Sequence, residues 1–136
     1  MTDRLRRFLS YPAIAVIVAL MLVACAAPFD HNEHANLVSI NQAARDSKIL
    51  CSDLERASST ARIMAMQSEW VWIYSSNLNG NADMTKMAKN LMDMAKELDT
   101  RFQQSQPPSR LYCTTKVDNI KQATDIMLKV SGRRAR

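Results

Sequence analysis

The amino-acid sequence predicts an all-α fold: an antiparallel three-helix bundle with a long first helix, stapled by one disulfide and preceded by an N-terminal signal segment. The chain has 136 residues, which suits one small domain. It holds only 2 Gly and 4 Pro, too few for the tight turns of sandwiches and barrels or for a glycine-rich phosphate loop. Apolar residues recur at steps of three and four, which is the spacing of one helix face.

Residues 1–24 have the layout of a secretory signal. Arg4, Arg6 and Arg7 precede an apolar run of 17 residues that ends at Ala24. A helix needs roughly 20 residues to cross ~30 Å of hydrocarbon, and Pro12 shortens the run further. We therefore expect a cleaved signal rather than a retained transmembrane anchor.

The signal ends in Leu22, Val23 and Ala24, followed by Cys25. These four residues resemble the lipobox of bacterial lipoprotein precursors, and all four positions match. The resemblance implies that Cys25 carries a thioether-linked diacylglycerol, is acylated on its amine and becomes the first mature residue. Ala26 stands where inner-membrane lipoproteins commonly have Asp, which implies attachment to the outer membrane, facing the periplasm. The alternative is that Cys25 is an ordinary buried cysteine.

The charge of the chain is concentrated at its ends. The net charge of +5 falls to +3 once residues 1–24 are removed, and Arg133, Arg134 and Arg136 account for three positive charges. The rest of the mature chain is neutral, so nothing supports a nucleic-acid partner. We expect the tail 132–136 to be solvated or to contact anionic lipid or glycan.

Cys51 and Cys113 are predicted to form a disulfide. Once Cys25 is lipidated, they remain as an even pair whose separation excludes a CxxC motif. Two such thiols pair in an oxidising periplasm. If the chain folds back about Gly80, Cys51 lies opposite the neighbourhood of position 109, close to Cys113.

The first helix is predicted over residues 30–76. Asp30 and Glu33 form a capping box at its start, and Ser52 with Glu55 forms a second one that would break the helix in the residues leading up to Ser52. We predict one long helix, kinked at most. Its inward-facing residues are Leu37, Ile40, Ala44, Cys51, Leu54, Ala57, Ala61, Met64 and Ala65.

The second and third helices follow a turn at residues 77–81 that contains Gly80. The second helix, over 82–106, has the clearest apolar stripe, and Pro107 with Pro108 ends it. Ser109 can cap the third helix, which stops at Gly132. The stripes consist of Met84, Met87, Leu91, Met94, Leu98 and Phe102, and of Cys113, Val117, Ile120, Thr124 and Met127.

These elements divide the chain into four parts. Residues 1–24 are the signal peptide and 25–48 a lipid-anchored stalk formed by the start of the first helix. Residues 49–131 are the helical bundle, and 132–136 are the basic tail.

The densest hydrophobic run lies at residues 70–74. Five consecutive positions cover the whole circumference of a helix, so not all of them can face inward. We expect Trp70, Ile73 and Tyr74 to enter the core and Trp72 to remain partly exposed near the turn, far from Cys25. Trp70, Trp72 and Tyr74 are the candidate partner-binding residues, because exposed Trp and Tyr favour protein interfaces. The alternative is that a third helix of the bundle covers both faces of the run.

No catalytic or metal-binding constellation is apparent. His31 and His34 could bind a divalent metal with Asp30 and Glu33, but a solvated helix start explains these residues equally well. The methionines could bind Cu(I), although most of them lie on the apolar stripes and Met92 alone is the exception on the second helix. We predict no metal, no cofactor and no enzymatic activity.

Two functions are compatible with the sequence. The first is a helical interaction or structural lipoprotein of an envelope assembly, of the secretion, conjugation, exclusion or pilus type, with an exposed apolar surface around Trp72. The alternative is a periplasmic ligand or metal binder that uses a Met-lined interior or His31 and His34. It would need a cavity of several hundred Å³ or converging ligands.

Overall fold

The computed structural model describes residues 27–134, which form four α-helices and no strand. They are α1 (His31–Leu50), α2 (Leu54–Ser76), α3 (Ala82–Phe102) and α4 (Arg110–Gly132). The all-α prediction is confirmed, whereas the prediction of three helices is wrong. Within 27–134, none of the helices is both long and apolar enough to cross a membrane.

The additional helix arises because the predicted long first helix is two helices. After α1 ends at Leu50, the Ser52 hydroxyl donates to the carbonyl of Ile49 at 3.0 Å. The Asp53 side chain then caps α2 by accepting the Arg56 N–H at 3.2 Å. Both helix ends are thus satisfied by local side chains. The second capping box therefore indicated the right region for the break, but the residue that caps α2 is Asp53 and not Ser52.

The helices form an up-down-up-down bundle. Each helix packs against the next one along the chain, and α4 packs against α1 to close the ring. Leu37, Ile40 and Ala44 of α1 are completely buried. Residues 31–48 therefore belong to the bundle, and the predicted stalk is wrong over this range. The reversal after Leu50 gives the apolar face of α1 two neighbours to pack against.

The core combines small residues with methionine and branched aliphatic side chains. Alanines on α2 and α3 allow close helix approach, and Met64, Met84 and Met127 fill the interior at 1% exposure or less. Met92, which lies off the predicted stripe of α3, is also buried. The core cluster includes Ile40, Ala57, Ala61, Val71, Ala88, Leu91, Ala95, Leu98, Val117 and Ile120.

The predicted disulfide between Cys51 and Cys113 is present. Its two Cα atoms are 5.8 Å apart, and it joins the α1–α2 connection to the first turn of α4. The bond encloses a sequence separation of 62 residues. Ser109 caps α4 as predicted, accepting the Tyr112 N–H at 3.1 Å.

Candidate functional site

The aromatic run on α2 is oriented differently from the prediction. Val71 is completely buried, whereas Trp70 and Ile73 are 45% and 51% exposed. The core face of α2 follows Met64, Ser68, Val71 and Ser75 at helical spacing. This register turns Trp70 and Ile73 outward, so the expectation that they enter the core is wrong.

The three candidate partner-binding residues do not share one surface. The rings of Trp70 and Tyr74 stack at a centroid distance of 4.8 Å, with 12° between their planes. Trp72 packs against the core on the side of α3, and the ammonium of Lys89 lies 5.6 Å from the centre of its ring. Trp70 and Tyr74 therefore form one feature and Trp72 belongs to another.

Trp70 is part of a row of exposed apolar side chains that we call the outer stripe. It consists of Ile63, Met66, Trp70 and Ile73, each between 45% and 65% exposed. Their spacing of three, four and three residues places them along one line of α2, opposite its buried face. Residues 70–74 are apolar at every position, so the sequence indicated that some apolar side chains of α2 must face outward but did not indicate which ones.

Polar residues border the outer stripe on both sides. Toward α1, Gln67 donates to the hydroxyl of Ser39 at 3.3 Å. Toward α3, Glu69 forms an ion pair with Lys96 at 2.7 Å. The stripe is thus a defined apolar surface with a polar border.

A second feature is an open groove of about 630 Å³ between the end of α2 and the start of α3. Trp72, Asn79 and Thr85 line it together with the basic residues Lys86 and Lys89. Trp72 is thus partly exposed near the turn, as expected. Trp72 was also expected to lie far from Cys25. Cys25 is outside the described residues, but Tyr74, two residues after Trp72, donates its hydroxyl to Asp30 at 3.1 Å, so this end of α2 lies beside the start of α1.

At the same end of the bundle, three polar side chains surround the buried Glu33 carboxylate. The Glu33 carboxylate is fully buried and accepts from the Ser75 hydroxyl, from Asn81 at 2.8 Å and from Arg134 at 2.9 Å. Arg134 also donates to the Asn81 side-chain oxygen. Arg134, which was assigned to a solvated tail, is instead 11% exposed at its side chain and ion-paired.

The histidines do not converge on a metal site. His34 Nδ1 lies 3.1 Å from the Ser131 hydroxyl, and the His34 ring contacts Phe29. His31 is exposed, while Glu33 points into the bundle toward Arg134. Within residues 27–134, no group of three or more His, Cys, Asp or Glu is placed to hold a metal ion.

Two ion pairs that involve α4 contain groups with shifted pKa values. The hydrogen bond from Lys116, at 2.6 Å, lowers the pKa of Glu97 and raises that of Lys116 itself. On the other side of α4, hydrogen bonds from Lys121 and Asn41 lower the pKa of Asp125. The Lys116–Glu97 pair joins α4 to α3, and the hydrogen bond from Asn41 to Asp125 joins α1 to α4, whereas Lys121–Asp125 lies within α4.

Comparisons of the chain with protein-family models, with curated proteins and with solved structures found no match. The predicted lipidation residue, Cys25, lies outside the described residues. A functional assignment therefore depends on the surfaces described above and on the lipobox.

Proposed function

We propose that this protein is a lipoprotein, anchored through Cys25 and facing the periplasm from the outer membrane, that binds a protein partner in an envelope assembly. The assembly is of the secretion, conjugation, exclusion or pilus type. The anchor follows from the lipobox at residues 22–25, and the binding surface is the outer stripe of α2. The outer stripe is the observation that carries the interaction.

The stripe supports an interaction because no other helix among the described residues covers this apolar face of α2. Apolar surface gains roughly 25 cal/mol for each Å² removed from water, and four large side chains at about half exposure leave much of that gain unrealised. Residues 70–74 are apolar at every position, and a helical stretch that is apolar all round is normally covered on all sides. The missing cover is supplied by the partner.

The spacing of the stripe indicates what kind of partner surface fits. Ile63, Met66, Trp70 and Ile73 follow the alternating three and four steps of a helix-packing seam. An amphipathic helix laid along α2 would bury all four, as in helix-in-groove recognition. The stacking of Trp70 on Tyr74 restricts the Trp70 ring before binding, which lowers the entropy cost of using it as an anchor.

The alternative of a periplasmic ligand or metal binder has weaker support. The core methionines Met64, Met84 and Met127 are packed inside the bundle. The Glu33 carboxylate is occupied by Arg134 and Asn81 and cannot join His31 and His34 as a ligand without breaking that network.

Site-specific photocrosslinking in the native membrane tests the proposed interaction. A benzophenone side chain at Met66 of the outer stripe should give a discrete crosslinked protein adduct. The matched control is Ile126, an apolar residue on α4 that is 50% exposed and has no neighbouring stripe of its own. We expect no such adduct from position 126.

A charge introduced into the stripe gives the complementary test. Met66→Asp should abolish the adduct formed from a benzophenone at Trp70, whereas Ile126→Asp should leave it unchanged. Equal yields from positions 66 and 126, or an adduct that survives Met66→Asp, would contradict the proposed surface.

A further inference from the structure

The segment that precedes α1 is fixed against the turn between α2 and α3. Ala27 is buried at 8% exposure. Residues 27–30 line a small pocket of about 150 Å³ together with Leu78 and Asn79 of the turn. Asp30 accepts a hydrogen bond from Tyr74, near the end of α2. Residues 27–30 therefore lie at the end of the bundle that contains the α2–α3 turn.

That end also contains the start of α3 and the finish of α4. Asn81, which precedes α3, donates to Glu33, and Arg134, which follows α4, pairs with the same carboxylate. The disulfide of Cys51 with Cys113 lies at the opposite end, one length of α1 away. For 20 residues of helix that length is about 30 Å.

Chain connectivity keeps Cys25 close to the end of the bundle that contains Ala27 and the α2–α3 turn. It precedes Ala27 by two residues, and consecutive Cα atoms are ~3.8 Å apart. Its Cα therefore lies within about 8 Å of that of Ala27. Acyl chains on Cys25 would hold this end of the bundle at the bilayer surface, and the disulfide end would be remote from it.

The surface of this end suits an anionic lipid headgroup layer. Lys86, Lys129 and Arg133 are exposed and make no ion pair within the described residues, against two acids without an ion pair, the exposed Asp83 and the half-buried Asp30. Trp72 lines the groove beside Lys86. Tryptophan is enriched at the membrane–water interface, and lysine and arginine near a membrane surface are attracted to anionic lipids.

We infer that this end of the bundle, with Trp72, Lys86, Lys129 and Arg133, is a headgroup-binding surface that lies on an anionic bilayer. The inference rests on the proposed lipidation of Cys25. In this orientation the helices stand roughly perpendicular to the membrane, so the outer stripe runs along the side of the bundle and the disulfide end points into the periplasm.

Fluorescence quenching of the full-length lipoprotein in vesicles tests this orientation. Intact-mass measurement first establishes that the chain carries its acyl groups. Trp70→Phe then leaves Trp72 as the single tryptophan, and the vesicles contain phosphatidylglycerol together with a lipid that bears a nitroxide on its headgroup. We expect strong quenching of Trp72.

The matched control moves the tryptophan to the disulfide end. Trp70→Phe, Trp72→Phe and Leu111→Trp together place it at an exposed position two residues from Cys113. We expect little quenching of this tryptophan. Equal quenching at the two ends of an acylated chain would overturn the inference and leave the anchor intact, whereas a chain without acyl mass would overturn both.

Neutralising the basic residues separates headgroup binding from mere proximity. Lys86→Gln with Arg133→Gln should weaken the contact of this end with the membrane. The ratio of molecules with this end on the bilayer to molecules with this end in solution should fall by roughly fivefold for each charge removed. Arg56→Gln with Arg110→Gln, near the disulfide end, changes the net charge equally and should have no effect. Equal loss of Trp72 quenching in both pairs, or no loss in either, would overturn the binding surface.

Discussion

The guanidinium of Arg134 lies 2.9 Å from the buried carboxylate of Glu33, although 101 positions separate the two residues in the sequence. The contact joins Arg134, two residues after the end of α4, to the first turn of α1. Through Ser75 and Asn81, it also reaches the end of α2 and the start of α3. All four helices are thus joined by polar contacts at one end of the bundle, while the disulfide joins the α1–α2 connection to the first turn of α4 at the other.

Removal of Arg134 should destabilise the protein more than removal of any other basic residue of the tail. Arg134→Met leaves the Glu33 carboxylate buried without its cation, which costs about 3 kcal/mol of unfolding free energy. Arg133→Met is the control, because Arg133 is exposed and unpaired within the described residues, and it should change stability by less than ~0.5 kcal/mol. Urea unfolding followed by circular dichroism measures both.

A double variant isolates the origin of that cost. Glu33→Gln with Arg134→Met removes both charges, and we expect it to be more stable than Arg134→Met alone. If Arg134→Met and Arg133→Met were equally stable, the ion pair would contribute nothing.

Reduction of the disulfide should lower thermal stability strongly. Opening a loop with a sequence separation of 62 residues removes ~4 kcal/mol in the chain-entropy account. For a domain of this size that corresponds to a fall in Tm of roughly 15–30 °C. Differential scanning calorimetry with and without reductant measures the change. Reductant should not alter the Tm of a Cys51→Ala, Cys113→Ala variant, and a shift there would assign the effect to something other than this bond.

Stability should decrease at acidic pH partly through Asp125. The hydrogen bonds from Lys121 and Asn41 place its folded pKa below its unfolded value. The stability that this group contributes is therefore fully present above the unfolded pKa of about 4, and it is lost as the pH falls through the folded pKa. Asp125→Asn should be less stable than the unaltered protein near neutral pH, and the two urea midpoints should converge as the pH falls toward about 3.

Lys121→Met provides the check on the cause. Without the ammonium group, the pKa of Asp125 should rise, and the acid-sensitive part of the stability should shrink. A Lys121→Met variant with an unchanged pH dependence would show that Asp125 is not the group that titrates.

Ser68 is a position where a substitution should stabilise the fold. Its hydroxyl is buried in α2 with no hydrogen-bond partner among the described residues. Ser68→Ala removes the unsatisfied group and improves helix propensity, so we expect a gain of about 1 kcal/mol. Ser75→Ala is the matched change about two turns further along the same face of α2, and it should destabilise by about 1–2 kcal/mol because Glu33 loses a donor. Equal effects of the two changes on urea unfolding would contradict this account.

The helical content, the Ser109 cap and the disulfide could be predicted because each depends on local spacing or on counting. The α3 stripe was predicted in part: Met84, Leu91 and Leu98 are buried, whereas Met87, Met94 and Phe102 are only partly buried. The break after Leu50 was harder to predict, because the apolar period continues through Cys51 and Leu54 and only the caps indicate a boundary. The disulfide prediction succeeded despite this error. Cys51 lies at the end remote from Gly80 whether the chain reverses there or continues.

The faces of α2 could not be assigned from sequence. Residues 70–74 are apolar at every position, so periodicity gives no preferred direction, and tertiary packing alone decides that Val71 is buried and Trp70 exposed. The Glu33–Arg134 pair was missed for a different reason. One acid at the start of α1 and one of the three arginines in the terminal tail carry no pattern that links them across 101 positions of sequence.

The even number of helices determines where fused partners would emerge. With four passes, the chain leaves the bundle beside the point at which it entered, as the Glu33–Arg134 contact shows. A reporter fused after Arg136 would therefore be crowded against the segment that precedes α1. One inserted in the connection at residues 103–109 would project from the opposite pole, about 30 Å away, where it has room to fold.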